Sequence, residues 1–84
     1  MRILMHEFGI LRNVISIVEQ AANKNMIAAI KNITLEVGAD SDVVPLYLNK
    51  LFPLVIEDSP ILKNAELIIQ MAAGKGLILK EIRY

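Results

Sequence analysis

No cysteine, no tryptophan, one histidine, two tyrosines and two phenylalanines occur in the 84 residues. Without cysteine the chain has no disulfide framework, no thiolate zinc site and no thiol nucleophile. Excess charge is missing as well, because nine basic residues balance nine acidic ones. A dedicated nucleic-acid binder draws much of its affinity from neutralising phosphates, so this balance argues against one. Long apolar runs are absent too, although 55% of the residues are hydrophobic. The richest stretch, Val43 to Ile56, is broken by Asn49, Lys50 and Pro53, far from the roughly 20 apolar residues that span a bilayer. Only Ile3, Leu4 and Met5 precede His6 and Glu7, too few for a signal-peptide core. A cytoplasmic chain forming one small domain over 1–84 is the expectation, with no membrane partner. So short a chain, without disulfides, would gain from a homodimer interface.

What is present is periodic. Ile10, Leu11, Val14, Ile15, Val18, Ala21 and Ala22 recur at spacings of three and four, which predicts a helix over about 8–24 with one apolar face. The polar Asn23-Lys24-Asn25 places a cation in its last turn, where it complements the helix dipole. From Ile30 the period changes to two: Lys31, Ile33, Leu35 and Val37 alternate with Asn32, Thr34 and Glu36, as in a half-buried strand with Lys31 an exception at its start. Residues 38–42 read as a loop, with Ser41 or Asp42 available to cap the next element.

Pro45 opens a second helix, with an apolar face of Val44, Tyr47, Leu48, Leu51, Phe52, Val55 and Ile56. Pro53 removes a backbone donor inside it, so a kink or an early end is expected. Glu66–Met71 and Leu77–Tyr84 predict two more strands, and the two glycines among residues 72–76 suggest a hairpin between them. In the last strand Leu77 and Leu79 share a face and Ile82 falls out of phase, which a bulge near Lys80-Glu81 would correct. The predicted class is α/β of the α+β kind: two helices on one face of a three-stranded sheet, in the order α-β-α-β-β.

Conventional catalysis finds little here. Gly74-Lys75-Gly76 lacks the spacing and context of a phosphate loop, and Ser16, Ser41 and Ser59 carry no nucleophile motif. The pairs Asp40/Asp42 and Glu57/Asp58 fall in predicted loops. An enzyme is not expected. The exception is Met5-His6-Glu7, just ahead of the first predicted helix. Imidazole suits Ni(II), an ion that favours tetragonal nitrogen sites, whereas Glu7 at a helix start complements the dipole.

Met5-His6-Glu7, the Ile15-x-x-Val18-Glu19 rhythm, Ile33-Thr34-Leu35-Glu36-Val37-Gly38, Val43-Val44-Pro45, Ala65-Glu66-Leu67 and Gly76-Leu77-Ile78-Leu79-Lys80-Glu81-Ile82 occur in that order. Together they resemble the HypA family of hydrogenase nickel-incorporation proteins over about residues 5–84. The resemblance implies a nickel-binding domain of two helices and a mixed three-stranded sheet. It also implies Ni(II) ligation at the initiating Met-His-Glu, through the terminal amine, backbone amides and the histidine imidazole. Carried onto this chain, His6 is the side-chain ligand, and Met5 and Glu7 contribute through the backbone. A maturation GTPase and a hydrogenase-like large subunit are the implied partners.

The chain departs from the family pattern in two ways. The family inserts a zinc ribbon with paired Cys-x-x-Cys motifs between the second and last strands, where this chain has only residues 72–76. A short hairpin would replace it, and structural zinc is not expected. Met1-Arg2-Ile3-Leu4 also precede the motif, so a chain that starts at Met1 turns the anchoring amine into an amide, and one that starts at Met5 restores it. The function this implies is that of a truncated HypA-like nickel metallochaperone. The alternative is a protein-interaction module that kept the fold and lost metal handling.

Overall fold

The computed structural model describes the backbone of residues 2–84 and the side chains of residues 6–84. Helix α1 spans Arg2–Lys24 and so begins six residues earlier than the periodicity suggests. Arg, Leu, Met and Glu are good helix formers, and nothing in residues 2–7 breaks the turn. The apolar stripe buries Leu11, Val14, Ile15, Val18 and Ala22. At the other end, Met26 takes a left-handed conformation at φ 58°. Its N–H then bonds the Asn23 carbonyl at 3.3 Å, and the Ile27 N–H bonds that of Ala22 at 2.9 Å. These two bonds form a Schellman closure, a role usually given to glycine.

Strand β1 (Asn32–Gly38) is central, with β2 (Glu66–Ala72) and β3 (Leu77–Arg83) on either side. Its parallel pairing with β2 and antiparallel pairing with β3 make the sheet mixed. Being central, β1 is well covered: Ile33, Leu35 and Val37 are fully enclosed and Thr34 is 3% exposed, while Asn32 and Glu36 are half-buried. The anticipated bulge is present. Thr34 pairs with Glu81 and Leu35 with Leu79, which leaves Lys80 as the extra residue of β3. Leu77, Leu79 and Ile82 consequently all pack against the core.

The expected hairpin at 72–76 is not formed, because β2 and β3 are not neighbours. The connection instead arches over the end of β1. Ala39 N–H bonds the Ala72 carbonyl at 2.7 Å, Asp40 N–H that of Gly74 at 2.8 Å, and Gly38 N–H that of Gly76 at 2.7 Å. A Cβ on Gly38 would collide with the Gly74 carbonyl, so only glycine permits this crossing. A short glycine-rich link suits a hairpin and a crossing equally, and the hydrophobic pattern cannot separate them.

Helix α2 (Pro45–Val55) is followed by a short 3-10 turn, Pro60–Leu62. Leu48, Phe52, Ile56 and Leu62 close the core beside β1. Pro53 lies inside the helix, which runs past it to Val55, so the early end expected at that proline does not occur. Neither Ser41 nor Asp42 caps it. Its N-cap residue is Val44, with no local side-chain bond. Ser41 Oγ instead closes the preceding turn, donating to the Gly38 carbonyl at 2.7 Å and accepting the Val43 N–H at 3.3 Å.

Candidate functional site

The early start of α1 sets the geometry of the motif. Met5, His6 and Glu7 lie inside the helix, not ahead of it. The side chain of Met5 falls outside the described residues. His6 is exposed, with its imidazole open to solvent. Glu7 is fully buried, because this position faces α2.

Glu7 supplies what α2 lacks. Its Oε2 accepts the Val44 N–H at 2.9 Å, so a carboxylate on one helix caps the N-terminus of another. The positive end of the α2 dipole and its unpaired amides favour an anionic acceptor there. The dipole that Glu7 complements is therefore that of α2, not that of its own helix. Its second oxygen, Oε1, is buried without a hydrogen-bond partner. Nothing local in the sequence announces a bond spanning 37 residues. The available hint is negative: Val44-Pro45 starts a helix with no capping side chain immediately before the proline.

These placements decide which atoms could hold a cation. The His6 imidazole is free to bind one. The Glu7 carboxylate is enclosed and engaged with the Val44 N–H. The backbone nitrogens are a different matter. In a helix running from Arg2 the His6 and Glu7 amides point to the carbonyls of Arg2 and Ile3, so neither faces a ligand while that turn is intact. Among the described residues, no three His, Asp or Glu side chains converge as a metal-holding group. Asp40 and Asp42 lie in the loop after β1, and Glu57 and Asp58 in the turn after α2. One further polar contact joins α1 to the latter turn: buried Ser59 donates from Oγ to Glu19 Oε2 at 2.7 Å. It lies in a cleft lined by Arg12, Ser16, Glu19 and Asp58 that does not include His6.

Two helices on one face of a mixed three-stranded sheet, with a histidine exposed on the opening turns of the first helix, define a small α+β domain. Solved structures share that architecture. The solution structure of the Ni metallochaperone HypA from Helicobacter pylori superposes with a TM-score of 0.74 at 20% identity, covering 89% of this chain and 70% of that one. A second HypA solution structure gives 0.66 at 25% identity, over 84% and 58% of the two chains. In sequence, the hydrogenase maturation factors HypA of Crocosphaera subtropica and Trichodesmium erythraeum are each 35% identical over 72 residues. The family described as hydrogenase/urease nickel incorporation, metallochaperone, matches residues 5–77. The chain belongs to the HypA family. The chain spans 60% of the length of these two hydrogenase maturation factors.

Proposed function

We propose that this chain is a HypA-like nickel-binding domain over its whole length and acts as a nickel metallochaperone in hydrogenase maturation. Ni(II) is its cargo and His6 the side-chain ligand, with Met5 and Glu7 contributing backbone nitrogens. The observation that carries this reading is the exposed His6 at the motif position of a chain matched by the family from Met5 onward. The proposed partners are a maturation GTPase and a hydrogenase-like large subunit, met in the cytoplasm. The role is delivery, not catalysis, and no structural zinc is part of it.

The helical placement of the motif adds a requirement. Backbone ligation needs the amides of His6 and Glu7 released from the helix, so loading should unwind the first turns of α1. Calorimetric nickel titration of chains starting at Met1 and at Met5 tests the reading, with circular dichroism followed in parallel. The expected result is binding that His6→Ala abolishes, accompanied, in the chain starting at Met1, by a loss of helicity confined to the start of α1. If neither chain takes up nickel and His6→Ala changes nothing, the metallochaperone reading is lost.

A second reading is favoured by the same helical placement: an interaction module that keeps the fold without handling metal. It predicts association that neither nickel nor chelators alter.

A further inference from the structure

The two outer strands present very different free edges. That of β3 is interrupted by the bulge at Lys80, and three of its seven residues are charged: Lys80, Glu81 and Arg83. Bulges and charges are the devices that discourage edge-to-edge pairing. Strand β2 has neither. Its sequence Glu-Leu-Ile-Ile-Gln-Met-Ala contains no proline or glycine and a single charge at its first residue. Its register with β1 is unbroken over all seven positions. Ile68 and Met71 are exposed, as are Leu46 and Leu54 on α2, the helix that packs beside this strand.

Backbone direction along β2 can be read from its two ends. Glu66 N–H bonds the Lys31 carbonyl at 3.0 Å, and the Ala72 carbonyl receives the Ala39 N–H. Glu66, Ile68, Gln70 and Ala72 therefore turn their backbone groups toward β1, and by alternation Leu67, Ile69 and Met71 turn theirs outward. Among the described residues, no loop backbone bonds any of those three.

We propose that this edge pairs with the same edge of a second copy, about a two-fold axis at Ile69, giving a continuous six-stranded sheet. The register is self-complementary. Ile69 meets Ile69 of the second copy, and Leu67 meets Met71 in both directions. All three outward-facing residues thus form hydrogen-bonded antiparallel pairs, with six backbone bonds across the junction. The charges agree with it. Glu66 falls opposite the uncharged Ala72, and the two Glu66 carboxylates stand about 20 Å apart along the strands, beyond the screening length at physiological salt. An axis perpendicular to the sheet also keeps both helix layers on one side. Such an isologous contact closes on itself and does not propagate. This inference is independent of nickel binding, so either can fail alone.

Sedimentation equilibrium of the full chain at tens of micromolar tests the pairing, and a dimer is expected. Met71→Pro removes an N–H that the chain's own sheet does not use. It deletes two of the six bonds and should raise the dissociation constant roughly thirtyfold, with the circular dichroism spectrum unchanged. Ile78→Lys, on β3, should leave that constant unaltered. Because the chain has no cysteine, Ile69→Cys places a lone thiol beside its symmetry mate. Hydrogen-bonded antiparallel partners lie about 5.5 Å apart at Cα, within disulfide reach. Mild oxidation should cross-link Ile69→Cys and leave Ile78→Cys as separate chains. A monomer at these concentrations overturns the proposal, as does a dimer in which Ile69→Cys fails to cross-link.

Discussion

Met26 illustrates how one residue can hold a conformation its side chain disfavours. It is 91% exposed and sits at φ 58°, so no packing compensates for the crowding of its Cβ. A left-handed conformation costs an L-residue roughly 1–2 kcal/mol. Met26→Gly removes that strain, although glycine loses more freedom on folding. The net gain should be about 0.5–1 kcal/mol, read as a higher urea midpoint at constant slope. His6 is the opposite case. It is exposed and has no role in packing, so His6→Ala should leave that midpoint unchanged while testing the nickel reading. The two exposed residues thus separate a structural term from a functional one.

At the level of elements, α1 and α2 are joined by an apolar seam and one directed bond. Glu7→Ala would leave the Val44 N–H without its acceptor and should lower stability by about 1–2 kcal/mol, as for other lost helix caps. Glu7→Gln retains a carbonyl acceptor and should show the smaller loss in the same urea titration. Elements with strong periodicity were legible in the sequence: the stripe from Ile10 to Ala22, the alternation from Ile33 to Val37, and the phase error at Ile82 that requires a bulge. The start of α1 was not, because Arg2 to Glu7 carry no cap and no breaker. The trans-cap was not legible either, since a bond between Glu7 and Val44 depends on how two helices cross. For the candidate site, the motif offered Met5, His6 and Glu7 as candidates. That Glu7 is buried while His6 is exposed could not be read there, because the motif's helical phase relative to α2 is a tertiary property.

For the whole molecule, the decisive feature is strand order. Parallel β1 and β2, joined through α2, form a crossover unit to which β3 adds an antiparallel strand. That order puts the two ends of the 73–76 link on opposite sides of β1, about 10 Å apart across two strand spacings. The link is therefore a bridge with a minimum length, and its tolerance to change is one-sided. Deleting Lys75 and Gly76 leaves three Cα steps between Ala72 and Leu77, a reach of roughly 10–11 Å with no slack to clear Gly38. That deletion should abolish cooperative melting. Two extra residues after Gly74 should cost under about 1 kcal/mol, since closure entropy grows only slowly with loop length. A thermal melt of both variants checks the asymmetry. The span across β1 thus makes this point of the fold directional in its tolerance: chain can be added there at little entropic cost, but little can be taken away.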